Sequence, residues 1–261
     1  FAGQLGEVAN VYDCMDELAQ FKGAPPGIRD REAQLLDIAD VVFTGGRSLW
    51  ETKRQRNPNC HFYGCGVDFA HFSKARARHT EVPADVAELP RPVLGYFGVV
   101  DERMDYALMQ RLAEENLAWS IVIIGPVTKV DEKTLPRARN LHWLGGRDYA
   151  MLPAYGKAFD ICLMPFALNE ATQFINPTKA LEYMATGRPI VSSAVPDVVK
   201  NFGDVVAVAD DHEGFLALCR QAVERADPAA IERGLEMAAV NSWESILEMM
   251  EGHIADALAH K

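Results

Sequence analysis

Apolar positions along the chain form two alternating patterns, short and mainly apolar runs and longer amphipathic segments. In the first third of the sequence the runs fall at residues 8–13, 41–44 and 61–63, and amphipathic segments at 29–40 and 48–55 separate them. Short apolar runs are typical of strands, and strands that alternate with helices indicate parallel β-α units. This part of the chain is therefore predicted to be α/β.

A more regular series follows a polar, proline-bearing stretch at residues 73–92, which we interpret as a linker. Its strands are predicted at 93–98, 120–125, 140–144 and 160–165 and near Ile190 and Val205, and its helices at 105–115, 151–159, 213–225 and 228–240. About six strands with interleaved helices predict one complete, doubly wound, Rossmann-like α/β domain.

The last segment, from Asn241 onwards, has the pattern of a long amphipathic helix, with Glu244 in capping-box spacing from Asn241. It follows a domain that already looks complete, so we expect its apolar face to pack on the N-terminal part. The predicted organisation is a partial N-terminal α/β domain at 1–80, a complete Rossmann-like domain at 81–240 and a returning helix at 241–261.

The stretch 176–191 combines signals for a helix with a cation in an unexpected place. Asn176 is a good N-cap, Pro177 suits the first helical position, and Gly187 is expected to end the helix before the next strand. Lys179 then stands at the third helical position, against the positive end of the helix dipole. An anion held between this lysine and the free N–H groups after Asn176, including that of Thr178, would explain the placement.

A carboxylate lies one helical turn beyond this lysine. Lys179 and Glu182 are three residues apart and therefore share a helix face. A nucleoside diphosphate would offer its phosphates to the lysine and its ribose hydroxyls to Glu182. Spacing alone leaves open the alternative of an ordinary solvent-exposed Lys/Glu pair on a surface helix.

Other candidate residues follow predicted strands, where open α/β sheets place their chemistry. Gly98 would let the backbone approach a diphosphate closely, and Arg103 could supply a second cation or be a surface arginine. Asp13 and Asp16 follow the first predicted strand and are our candidate catalytic carboxylates, for orienting an acceptor or taking up a proton. The alternative for this pair is a helix cap.

Composition narrows the class of protein and its partners. The chain of 261 residues has a formal net charge of −11, which argues against binding nucleic acid or an anionic membrane through general electrostatics. No run approaches the roughly 18 apolar residues that a transmembrane helix needs. The five cysteines include no C-x-x-C pair, which favours free thiols in a reducing cytoplasm, and the sequence predicts no metal site.

The sequence lacks the motifs of several enzyme classes. The sequence has no Walker loop and no Ser/His/Asp hydrolase pattern. A nicotinamide-dependent Rossmann enzyme needs G-x-G-x-x-G after its first strand, whereas this chain has only Gly95 and Gly98 at that point. We therefore expect no cofactor.

The motifs together resemble the retaining glycosyltransferases of the GT-B type, close to glycosyltransferase family 4 (group 1). Residues 177–191 resemble the signature of that family, and Gly-Val-Asp at 66–68, with His-Phe at 71–72, resembles the segment before its interdomain crossover. Residues 39–44 match a strand of the N-terminal domain. Ser-Trp-Glu at 242–244 resembles the start of the helix that crosses back to the first domain.

The resemblance implies a GT-B fold with a donor-binding second domain and an acceptor-side first domain. It implies that Glu182 binds the donor ribose and that Gly145, Gly146 and Arg147 hold the base through backbone groups, a simple turn being the alternative for these three. The implied reaction transfers a sugar from a UDP- or GDP-linked donor to a saccharide or lipid-linked acceptor, with retention and without a metal. A polysaccharide pathway in the cytoplasm, or at the inner membrane, is the implied setting.

Two departures from the family pattern bear on activity. A second glutamate that contacts the donor sugar is expected eight positions before Glu182, where this chain has Phe174. Only 65 residues precede Gly66, fewer than a complete acceptor domain needs. The sequence therefore leaves open a second hypothesis, a non-catalytic nucleotide-sugar binding or scaffold module, and leaves open whether the isolated chain is active.

Overall fold

The structure, a computed structural model, describes residues 2, 4–21, 23–169, 172, 175 and 178–260. The strands of these residues form two separate parallel sheets, with strand orders β1-β2-β3 and β6-β5-β4-β7-β8-β9. The strands are β1 (Val11–Cys14), β2 (Val41–Thr44), β3 (Cys60–Phe62), β4 (Val93–Phe97), β5 (Ser120–Ile124), β6 (Leu141–Gly145), β7 (Ile161–Met164), β8 (Ile190–Ser193) and β9 (Ala207–Ala209).

Helices connect these strands and cover the sheets. The α-helices are α1 (Ile28–Ile38), α2 (Arg47–Lys53), α3 (Phe69–Phe72), α4 (Ala84–Ala87), α5 (Tyr106–Glu115), α6 (Leu152–Ala158), α7 (Lys179–Thr186), α8 (Pro196–Phe202), α9 (His212–Glu224), α10 (Pro228–Val240) and α11 (Trp243–Ala259). The alternation of parallel strands and helices confirms the predicted α/β fold, and the larger sheet has the expected six strands.

Some predicted elements differ from the observed ones. The first strand begins at Val11 rather than residue 8, and the supposed linker 73–92 contains the short helix α4. Helix α8 was not predicted, because its few apolar positions lie too close to a strand to stand out. The last helix is capped by Ser242, whose hydroxyl accepts the Ser245 N–H at 3.2 Å, rather than by Asn241.

Apolar side chains alternate between the two faces of the six-stranded sheet. In β4, Val93 and Phe97 belong to one buried cluster, while Leu94 and Tyr96 belong to the cluster on the opposite face. All four are nearly inaccessible to solvent. A central parallel strand covered on both faces explains why its sequence is an unbroken apolar run.

The order of the strands places a crevice at one point of the larger sheet. Strands β4 and β7 are hydrogen-bonded neighbours, although β5 and β6 lie between them in sequence. Connections therefore leave β4 and β7 in opposite directions along the sheet, which opens a crevice at their carboxyl ends. The loops after these two strands are thus where a ligand is expected.

The last helix returns to the N-terminal part of the chain. Val67 forms a parallel bridge with Ser242, and the ring of His253 in α11 stacks on His61 of β3 with centroids 3.6 Å apart. These contacts tie α11 to the smaller sheet. Across the described residues, every helix is too short or too polar to cross a lipid bilayer.

Candidate functional site

A cavity of about 220 Å³ lies at the carboxyl ends of β4 and β7. Residues from both α/β units line it, and they include the predicted Asp16, Arg103, Thr178 and Lys179. The full lining is Asp16, Cys65, Tyr96, Val99, Asp101, Arg103, Met104, Phe166, Ile175, Thr178 and Lys179. The crevice expected from the strand order is therefore lined by three of the residues that the sequence assigned to a diphosphate, Arg103, Thr178 and Lys179, whereas Gly98 is not among its lining residues.

The side chain of Lys179 extends across the end of β4. A Cβ atom at Gly98 would lie 1.9 Å from Lys179 Cε and 2.5 Å from its Nζ, so a side chain at this position would require the end of the lysine to move. Gly98 also has a φ of +148°, which side chains rarely adopt. Lys179 is the first residue of α7 as the structure describes it, rather than the third.

Gly98 is held in turn by the end of β5. Its N–H donates to the Ile124 carbonyl at 2.8 Å, and a Cβ at Gly125 would lie 1.7 Å from the Gly98 carbonyl oxygen. The two loops thus meet backbone to backbone beneath the lysine. Sequence reasoning did not single out Gly125, although its position directly after a buried strand is the same signal that Gly98 carries.

Lys179 is a partly buried cation. Burial lowers its pKa, the nearby Arg103 lowers it further, and the carboxylates of Glu182 and Asp101 act in the opposite direction. No carboxylate among the described residues lies within ion-pair distance of its ammonium group. The Glu182 carboxyl has a raised pKa because it is buried, an effect that Lys179 partly offsets. A bound anion could therefore form the close ion pair that no carboxylate among the described residues forms with Lys179.

Arg103 is positioned by a residue that sequence reasoning missed. Both oxygens of the nearly buried Asp101 carboxylate accept hydrogen bonds from the Arg103 guanidinium, at 2.7–3.1 Å. The pair raises the pKa of Arg103 and lowers that of Asp101. The bidentate pair fixes the plane of the guanidinium. The sequence signal for it was an acidic residue two positions before the arginine.

The N-terminal unit contributes Asp16 and Cys65 to the lining of the same cavity. Burial raises the pKa of the Cys65 thiol to about 11, and the carboxylates of Asp16, Glu182 and Asp13 act in the same direction. The thiol therefore lies within electrostatic reach of all three. Asp16 also lines the cavity, and neither it nor Asp13 caps a helix in the part of the chain that the structure describes.

The predicted base loop follows β6. Gly145 has a φ of +70°, and Gly146 has open space on its Cβ side apart from Pro126 at 3.9 Å. The guanidinium of Arg147 is occupied, because it donates to the Tyr155 hydroxyl at 2.8 Å and to Asp85 of α4 at 2.9 Å. Any contact of this loop with a base would thus come from backbone groups.

Three residues used in the sequence analysis lie outside the described residues. They are Asn176, predicted as the N-cap, Pro177, predicted at the first helical position, and Phe174, which stands where the family pattern has a sugar-binding glutamate. Their roles remain predictions.

Comparison with known proteins places the chain among glycosyltransferases. The family model described as "Glycosyl transferases group 1" matches residues 91–225. A Bacillus subtilis protein assigned by name to teichuronic acid biosynthesis as a glycosyltransferase, TuaH, is 26% identical over 262 residues. The match covers 92% of this chain, and this chain spans 65% of that relative's length.

Solved structures share the fold. Sucrose-phosphate synthase from Thermosynechococcus elongatus superposes with a TM-score of 0.70 at 19% identity, covering 96% of this chain and 68% of that one. HepE from Anabaena, solved in complex with UDP-glucose, gives a TM-score of 0.72 at 15% identity and covers 94% of this chain and 72% of its own. Since the family model covers just over half of the 261 residues, the chain belongs to the glycosyl transferases of group 1 and has the GT-B fold.

Proposed function

We propose that the chain binds a UDP- or GDP-linked sugar at the crevice between β4 and β7 and transfers the sugar to a saccharide or lipid-linked acceptor. The observation that carries this proposal is the close approach of Lys179, which lines the cavity, to Gly98. A partly buried cation without a carboxylate partner among the described residues lies over a glycine loop, and Arg103 lines the same cavity. This arrangement suits a diphosphate.

The charges lie where the reaction would need them. When the bond between the anomeric carbon and the phosphate oxygen breaks, its electron pair stays on the diphosphate, so the developing charge falls near Lys179 and Arg103. These two fixed cations are our reason for proposing transfer without a divalent metal. By family resemblance we propose that the new bond forms with retention of the anomeric configuration.

The acceptor side is proposed to be the N-terminal unit. The acceptor hydroxyl oxygen would bond to the anomeric carbon and release its proton. Asp16 faces the cavity opposite the donor unit and is our candidate for accepting that proton, with Asp13 close by. Glu182 would accept hydrogen bonds from the ribose. A polysaccharide pathway on the cytoplasmic side of the membrane is the proposed setting, which suits five cysteines that are all thiols rather than disulfides.

Release of UDP or GDP from sugar nucleotides tests the proposal. We expect the chain to release nucleoside diphosphate from one donor, slowly with water and faster with the correct acceptor, at equal rates with and without EDTA. Loss of all release in EDTA would contradict the metal-independent mechanism.

A second candidate function is a non-catalytic nucleotide-sugar binding module. It is favoured by Phe174, which stands where the family pattern has a glutamate that contacts the donor sugar. Nucleotide binding without release from any donor or acceptor combination would support this alternative.

A further inference from the structure

Tyr149 is an exposed aromatic residue at the same edge of the larger sheet as the cavity. It follows β6 directly after the loop of Gly145 to Arg147, and 52% of its surface is accessible. Strand β6 lies two strands from β4 in the sheet, which corresponds to about 10 Å at the usual strand spacing. A nucleoside attached to a diphosphate at Gly98 could reach this far.

The ring is held on one side and open on the other. The imidazole of His71 stacks on it, with centroids 4.4 Å apart and planes 11° from parallel, and His71 Nε2 lies 3.0 Å from the Tyr149 carbonyl oxygen. Phe72 meets the ring edge-on at 5.6 Å. Since half of the residue remains accessible despite these contacts, the face opposite His71 is available to a ligand.

The same aromatic residues connect Tyr149 to the helix of Lys179. Phe72 stacks on Phe97 of β4 at 5.8 Å, and Phe97 packs edge-on against Tyr183 of α7 at 4.6 Å. The Tyr183 hydroxyl accepts the Phe97 N–H at 2.9 Å. Tyr149 therefore belongs to a continuous packed row that ends one residue from Glu182, so its position relative to the ribose site is fixed.

Electrostatics also place the phenol near that site. Burial raises the pKa of Tyr149, and the carboxylates of Glu182 and Asp68 raise it further. The phenol thus lies within electrostatic reach of the carboxylate that we assign to the ribose.

We propose that the open face of Tyr149 stacks on the base of the donor nucleotide, with His71 as the positioning residue that holds the ring. This inference rests on the proposed function and extends it by naming a side chain that binds the base, beside the backbone of the Gly145 loop. A planar ring fixed on its far side loses little freedom on binding, and stacking on an aromatic side chain favours any base.

Calorimetric titration with UDP, GDP and inorganic pyrophosphate tests the inference. Tyr149→Ala should weaken the binding of the preferred nucleotide about tenfold or more and leave pyrophosphate binding unchanged. Tyr149→Phe keeps the ring and should bind like the unmodified chain. His71→Ala should cause a smaller loss. Leu117→Ala, which removes an equally exposed apolar side chain just before β5, serves as the matched control.

Three results would count against the inference. Unchanged nucleotide affinity in Tyr149→Ala overturns it while leaving the proposed function intact. Equal losses for nucleotide and pyrophosphate also overturn it, because they place the effect at the phosphates or in folding. If the unmodified chain binds neither UDP nor GDP, the proposed function fails and the inference fails with it.

Discussion

At the scale of single residues, the site contains two cations. Arg103 is paired with Asp101, whereas Lys179 has no carboxylate partner within ion-pair distance among the described residues. Lys179 is identifiable from the sequence because it stands where a helix normally places an acid, and such departures from local rules often mark functional sites. Asp101 and Tyr149 break no such rule. Asp101 could be found only from its spacing two residues before Arg103, and the role of Tyr149 depends on the His71 ring, which is distant in sequence.

Replacing Asp101 should show how much its pair with Arg103 stabilises the fold. Asp101→Asn removes a nearly buried carboxylate that accepts charged hydrogen bonds, so we expect a loss of about 1–2 kcal/mol in the free energy of unfolding, limited by the partial exposure of Arg103. Because pairing lowers the pKa of Asp101, its stabilisation is present above the unfolded carboxyl pKa and is lost as pH falls through the folded value. The difference in unfolding free energy between Asp101→Asn and the unmodified chain should therefore disappear at acidic pH.

Urea unfolding at neutral and acidic pH measures this effect. Asp37→Asn is the matched control, because Asp37 also forms a bidentate pair with an arginine, Arg56, but on the exposed surface. The urea midpoint of Asp37→Asn should equal that of the unmodified chain. Equal urea midpoints for Asp101→Asn and Asp37→Asn at neutral pH would contradict a structural role for the Asp101 pair.

At the scale of elements, the sequence predicted most strands of the larger sheet because their apolar runs are covered on both faces. It predicted most helices because their apolar positions recur at helical spacing. Strand β2 and helix α10 have the expected bounds, and Gly187 ends α7 in a left-handed conformation as expected. Helix α8, which the sequence did not predict, has neither an apolar run nor a clear helical periodicity. Helix α8 is short, and its importance comes from a contact with α2 in the other unit rather than from its own periodicity.

That contact joins the two α/β units beside the cleft. The Ser48 N–H and hydroxyl of α2 donate to the same oxygen of Asp197 in α8, at 3.0 and 2.5 Å, and Asp197 is fully buried. Arg47 donates to Asn201 at 2.9 Å. Asp197 therefore satisfies a donor at the start of α2 that the helix cannot satisfy itself.

Removing this contact should destabilise the arrangement of the two units. Asp197→Ala leaves buried donors of Ser48 without their acceptor, at a cost of about 2–3 kcal/mol in unfolding free energy. Thermal unfolding should then begin earlier or separate into two transitions. Glu51→Gln, which breaks the neighbouring but exposed Lys200 pair, should unfold like the unmodified chain. An unchanged transition in Asp197→Ala would exclude this role.

At the scale of the whole molecule, the sequence predicted parallel sheets, a Rossmann-like second unit and a returning last helix. It could not predict how the units meet, because residues such as Ser48 and Asp197 come together only through the fold. For the same reason the sequence identified Asp16 and Lys179 separately, whereas the structure places them in one cavity that both units line. A donor bound to one unit would thus face the other.

The central claim is that this cavity binds the diphosphate of a sugar nucleotide through Lys179. Calorimetric titration of UDP and GDP into the unmodified chain, Lys179→Ala and the exposed-lysine control Lys74→Ala tests it most directly. We predict that at least one nucleotide binds, that Lys179→Ala weakens it about tenfold to a hundredfold, and that Lys74→Ala does not. Absence of binding, or equal affinities in all three proteins, would contradict the claim.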